Sequence, residues 1–207
     1  MKKVLKKVKI IYILITLKHN ISRMVIYLNL KKSRILAIFI IYILNFVFHF
    51  AYELFPNTLF SIFFPVNESI FEHQKLIFSS FMFYGIIDYF ITRKQEVTKT
   101  SFFLSLIVSA FSAIGIFLLI WLPIFYKTGE NMIVTFIVLF IAIALSQVIS
   151  YYILKHDFKS DYIPTLSIIL IIITYVVAAY LTYNPPKYEF FFDTKDEKYG
   201  IDTYVIR

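Results

Sequence analysis

Residues 131–154 read NMIVTFIVLFIAIALSQVISYYIL, without one charged side chain. Wound into an α-helix at about 1.5 Å per residue, such a run extends about 36 Å. That exceeds the hydrocarbon core of a bilayer, about 30 Å thick. Four more apolar stretches of comparable length flank it, near 35–55, 70–91, 101–121 and 163–183. The whole chain of 207 residues is 59% hydrophobic and 16% charged. A water-soluble domain averages about 45–50% apolar and about 25% charged residues, which excludes that class. Transmembrane β-strands would alternate in short segments, and these runs are continuous. The expected fold is therefore all-α, a polytopic membrane protein with five transmembrane helices.

The prolines agree with these boundaries. Pro56 and Pro65 flank the first connection, Pro123 closes the third helix, Pro164 opens the fifth, and Pro185-Pro186 end it. None is expected inside a helix, where proline removes a hydrogen bond. Three segments follow: a basic amphipathic extension at 1–33, a five-helix membrane domain at 34–183, and an aromatic tail at 184–207.

Charge sets the expected orientation. The net charge is +8, yet residues 1–34 alone carry ten Lys or Arg and no acid. Connections on that side add Arg93, Lys94, Lys99, Lys155 and Lys159, whereas the opposite side holds Lys127, Lys187, Lys195, Lys198 and Arg207. The positive-inside rule places the N-terminus in the cytoplasm and the C-terminus outside. A basic segment confined to one end fits anionic lipids at the inner leaflet of the bilayer, and no nucleic-acid fold accompanies it. Ile10–Leu17 is too short to span and lacks a small-residue cleavage site, so an interfacial helix is expected there. Met24 is a second candidate start. The absence of Cys excludes disulfides, thiolate metal sites and Cys nucleophiles.

Ionisable residues inside membrane helices are costly and therefore the first candidates for function. Asn45, His49 and Glu53 step by four along the outer half of the first helix. Glu68, Glu72 and Lys75, four and three apart, share one face at the start of the second, with His73 beside them. A short connection, 56–67, brings both groups to the outer leaflet. Ser69 and Glu72 also form an S-x-x-E capping box. Deeper in the second helix, Tyr84 and Asp88 lie below His73 and could extend a path inward. Small residues at 101, 105, 109 and 113, and at 142, 146 and 150, are expected at helix–helix contacts. The aromatic tail is expected to form a hairpin turning near Thr194–Glu197.

The segments His49-Phe50-Ala51-Tyr52-Glu53 and Pro65-Val66-Asn67-Glu68-Ser69-Ile70-Phe71-Glu72-His73-Gln74-Lys75-Leu76 carry a resemblance. With Asn184-Pro185-Pro186, Phe192-Asp193 and Tyr199-Gly200-Ile201, they resemble a family of small bacterial multi-pass membrane proteins, domain of unknown function 6512. Its signature runs V-N-E-S-V-W-E-H-x-K-L, and Phe71 stands where Trp is usual. The resemblance covers roughly residues 36–201. It implies a multi-pass protein of the bacterial cell (inner) membrane and assigns no activity.

Three functions remain open on the chemistry. The His, Glu and Lys groups can lock helices together in a structural or interaction role. Alternatively, His49, Glu53, Glu68 and His73 can hold a divalent metal such as zinc with an open position for water. Glu72 and Lys75 would then act as catalytic groups in a metal-dependent hydrolase of a lipid-like substrate. The third class is small-ion or proton-coupled transport through Tyr84 and Asp88.

Overall fold

A computed structural model describes residues 29–201. The expected basic extension, its interfacial helix and the alternative start at Met24 fall in residues 1–28, outside the described residues. Among the described residues seven α-helices run in chain order: α1 (29–49), α2 (Ala51–Leu54), α3 (Thr58–Phe63), α4 (Ile70–Arg93), α5 (Lys99–Thr128), α6 (Met132–Lys155) and α7 (Tyr162–Tyr183). Among the described residues four of them, α4 to α7, are long and apolar enough to cross a membrane.

Local chemistry starts each long helix. Asn131 caps α6 by accepting from the backbone N–H groups of Ile133 and Val134, and Thr98 caps α5 through Ser101. Ser69 caps α4 by accepting from Glu72 N at 3.4 Å. Each satisfies a donor that the helix itself leaves unpaired. Pro164 sits in the first turn of α7, where a missing N–H costs nothing. Pro123 departs from expectation: α5 runs through it to Thr128. In a membrane-spanning bundle the freed carbonyl is tolerated because local adjustment re-satisfies it.

The core lies between α1, α4, α5 and α6, around Ala37, Ile41, Phe81, Ala113, Ala142 and Ile143, all nearly or fully buried. Ser105 and Ser150 meet across α5 and α6 with hydroxyls 2.7 Å apart, and Ser101, Ser109, Ser146 and Ala142 are buried along the same seam. The small residues thus serve close helix approach. Trp121, in the last third of α5, is buried there and donates to Thr135 Oγ1 at 2.8 Å.

Helix direction sorts the connections into two ends. At one end, Thr98 and Thr100 donate to the carbonyls of Phe158 and Ser160, tying the α4–α5 and α6–α7 loops together. Arg34, near the start of α1, reaches Asp88 in the last third of α4. The other end holds the close of α1, the start of α4 and the tail. There the segment 51–63 does not simply turn outside. Lys75 Nζ donates to Ser61 O at 2.8 Å and Ser79 Oγ to Phe63 O at 2.5 Å. Ser79 lies nine residues into α4, about 13 Å along it, so α3 folds back beside the upper turns of α4. Buried side chains thereby satisfy its last carbonyls, the condition for irregular backbone at that depth.

The tail closes the same end. A 3₁₀ turn at Glu189–Phe191 leads into a two-stranded antiparallel hairpin, β1 (Phe192–Asp193) and β2 (Lys198–Tyr199), with Phe192 opposite Tyr199. Phe191 packs on Phe71 of α4 with ring centroids 4.9 Å apart. An aromatic at position 71 is what this contact requires.

Candidate metal centre

Three side chains from two separate segments converge at the tail-covered end. His49 is the last residue of α1, Glu68 precedes the cap of α4, and His73 is in its first turn. Both imidazole Nε2 atoms stand 3.4 Å from the same oxygen, Glu68 Oε2. The rings of His49 and His73 are 5.4 Å apart, and one ligand atom from each of the three residues lies within 4.8 Å of the others. About a third of the Glu68 side chain is exposed, so the cluster opens at the protein surface.

The backbone around the cap fixes this arrangement. Asn67 Oδ1 accepts from Ser69 N at 2.9 Å, closing an Asx turn. Asp193, fully buried, accepts from Glu68 N at 3.0 Å through one carboxylate oxygen and from Lys195 N and Asp196 N through the other. Asn67 Nδ2 reaches across to Gly200 O at 2.9 Å. The tail hairpin therefore holds the backbone that carries Glu68.

His73 Nδ1 lies 2.9 Å from Ser69 O. A carbonyl only accepts, so Nδ1 carries a proton and Nε2 is the ring nitrogen turned toward Glu68. Hydrogen bonding to His49 and then to His73 holds the Glu68 carboxyl well below the usual range despite partial burial. A carboxylate oxygen and two imidazole nitrogens thus face one another, hydrogen-bonded as they stand and able to ligate a cation once the facing nitrogens give up their protons. Zinc bound at about 2.0–2.1 Å in tetrahedral geometry sets its ligands about 3.3–3.4 Å apart. The two measured separations of 3.4 Å match that edge. Three protein ligands leave a fourth position for water or a substrate oxygen.

A family model matches residues 22–201. The chain belongs to DUF6512, a family of unknown function. No curated protein and no solved structure matches it. The DUF6512 match begins at residue 22, ahead of the rough start at residue 36 that the sequence resemblance gives.

The remaining candidates of this DUF6512 chain are placed elsewhere. Glu53 does not continue the His49 face, because α1 ends and the chain turns at Phe50; Glu53 is exposed on α2. Glu72 and Lys75 leave the cluster for a buried pair of their own, 2.5 Å apart with each side chain 1% exposed. Glu72 Oε2 also accepts from Val66 N at 3.2 Å, and Oε1 from Thr182 Oγ1 at 2.7 Å. The Glu72 side chain therefore does not return to Ser69, and only half of the expected capping box forms. Lys75 Nζ spends its other donors on Ser61 O and on Thr182 Oγ1 at 2.9 Å.

Asp88 is fifteen residues beyond His73, about 22 Å along α4. Its carboxylate is engaged by Arg34 and by Tyr84 OH at 3.4 Å. Arg34 further donates to Ser150 Oγ at 3.2 Å and Gln147 Oε1 at 3.4 Å. Arg34 hides in sequence as the last cation of a basic run. Thr182 carries no sequence signal, and Asp193 shows only as part of the family's closing motif.

Proposed function

We propose that this DUF6512 protein crosses the bacterial cell membrane five times, N-terminus inside, and holds a divalent metal ion at its outer face. The fifth span would be α1, whose apolar stretch packs Ala37 and Ile41 into the core. The basic excess at residues 1–34 and in the 92–100 and 155–162 connections supports the orientation. The observation that carries the metal is the pair of 3.4 Å separations between the two imidazoles and Glu68 Oε2, with the His73 tautomer set by Ser69.

An ion with a free position beside the outer leaflet suits hydrolysis of a lipid-like ester, amide or phosphate, since it acidifies bound water and polarises the bond under attack. Glu72 and Lys75 are removed from that chemistry by burial and pairing; their role in this reading is to clamp α4 to α3 and α7 beneath the site. The transport reading loses its inward relay, because Arg34 occupies Asp88.

Elemental analysis of the purified protein tests the proposal. About one zinc-class ion per chain is expected, and its loss is expected in both Glu68→Gln and His73→Ala. Absence of metal from protein purified without chelator and then supplied with zinc would overturn it.

A further inference from the structure

At the end of the bundle away from the metal centre, the connection between α4 and α5 borders a cavity of about 360 Å³. Its wall is made by Tyr89, Thr92 and Arg93 of α4, Val97 of the connection, and Lys99 and Phe102 of α5. That volume lies in the lower part of the range for small-molecule sites. The 24 residues of α4 extend about 36 Å, a little more than a hydrocarbon core of about 30 Å. Its last turn, with Arg93, therefore stands at headgroup depth.

The charges in this wall are uncompensated. Arg93 and Lys99 are exposed, and among the described residues neither side chain makes an ion pair or a hydrogen bond. No acid lines the cavity. Asp88, one turn below Thr92, is held by Arg34, and Asp157 in the neighbouring connection pairs with Lys159 at 3.2 Å. Glu96 is the one acid between residues 92 and 100, against Arg93, Lys94 and Lys99, and it is exposed outside the wall. Opposite dipole ends of α4 and α5 meet here, so the side chains set the sign of the field. The hydroxyl of Tyr89, whose ring packs on Phe102 at 5.2 Å, also has no partner among the described residues. Two cations and a hydroxyl donor call for an anion that accepts. Toward the middle of the bilayer the same face of α4 turns apolar. Ile86 and Phe90, at helical spacing from Tyr89 and Arg93, are 62% and 61% exposed. A soluble anion has no use for that surface, whereas acyl chains cover it.

We propose that this cavity holds the phosphate group of an anionic phospholipid. Arg93 and Lys99 neutralise the phosphate, the Tyr89 hydroxyl donates to one of its oxygens, and the acyl chains lie over Ile86 and Phe90. This site shares no residue with the metal centre and is separate from the basic run at residues 1–34.

Photolabelling in lipid nanodiscs tests it, with phosphatidylglycerol and phosphatidylcholine carrying the same diazirine-bearing acyl chains. In the parent protein the anionic lipid is expected to label the peptides spanning residues 86–102 about tenfold more than the zwitterionic one, the worth of one hydrogen bond to a charged group. Arg93→Gln/Lys99→Gln is expected to remove that preference at these peptides. Lys94→Gln, which takes the same charge from the same connection but not from the wall, is expected to keep it. Tyr89→Phe, which retains the ring and loses the donor, is expected to lower it about threefold. Equal labelling of the parent by the two lipids would overturn the proposal without any variant needing to fold. A preference that survives the double variant, or that falls equally in Lys94→Gln, would overturn it as a general effect of basic charge. Displacement of the lipid by millimolar inorganic phosphate would overturn it in favour of a free anion. Chelator is expected to leave the labelling unchanged, so the cavity and the metal centre are judged separately.

Discussion

At Ser69 the side chain caps α4 while the backbone carbonyl fixes the proton of His73 on Nδ1. A helix start and a ligand orientation thus depend on one residue, as is common around metal-binding imidazoles. Because hydrogen bonding to His49 and His73 keeps Glu68 ionised far into acid, the imidazoles decide the pH at which the proposed metal leaves. Protons compete with the ion for each nitrogen, so binding weakens as the pH falls from neutral into acid. Equilibrium dialysis across that range should show the decline; retention of metal down to pH 4 would contradict the ligand set. Glu72 and Lys75 behave oppositely. Removing one partner leaves a buried charge, so Glu72→Gln or Lys75→Met should cost about 3–5 kcal/mol. The double variant Glu72→Leu/Lys75→Met should recover part of that loss, as read by thermal unfolding in detergent, with metal content unchanged in any variant that folds. Loss of metal with retained stability would instead return Glu72 to the centre.

Among the elements, the tail hairpin depends on Gly200. Its φ is +68°, and an added Cβ would lie 2.8 Å from Thr182 O, a backbone atom that cannot step aside. Gly200→Ala should therefore undock the hairpin, costing about 1–3 kcal/mol for the conformation alone. Cleavage by trypsin at Lys195 or Lys198 should accelerate in detergent solution, and metal affinity should weaken because Asp193 no longer holds the Glu68 backbone. Unchanged cleavage would show that the tail does not rely on this contact. The short α3 is the other unexpected element. Its sequence, Thr58–Phe63, is apolar enough to enter the membrane region but too short to cross it. Only the donors of Lys75 and Ser79 make its position affordable.

For the whole molecule, the two ends of the bundle carry different chemistry. The end with Thr98, Thr100, His156 and Ser160 bears the basic connections, and the opposite end bears the His–Glu cluster and the tail. Single cysteines in this Cys-free chain separate the faces: Thr128→Cys should react with an impermeant thiol reagent from outside intact cells, and Ser160→Cys only after lysis. The reverse pattern would invert the orientation and put the proposed metal in the cytoplasm.

Sequence alone determined that the chain is helical and where its long apolar runs lie. Excluding water from a bilayer demands length and continuity, which are properties of the chain read in one dimension. Helix spacing also placed His73 near Glu68, because both belong to one capped turn. Which carboxylate meets His49 was decided only in three dimensions. Each helical residue rotates the next by about 100°, so the turn at Phe50 carries Glu53 out of the cluster, and nothing local in His49–Leu54 announces it. Arg34 likewise reads as one more cation in a basic run until packing sets it against Asp88, 54 residues away. In a low-dielectric core a charge settles beside whatever partner the fold supplies, and pairings of that kind are invisible to spacing.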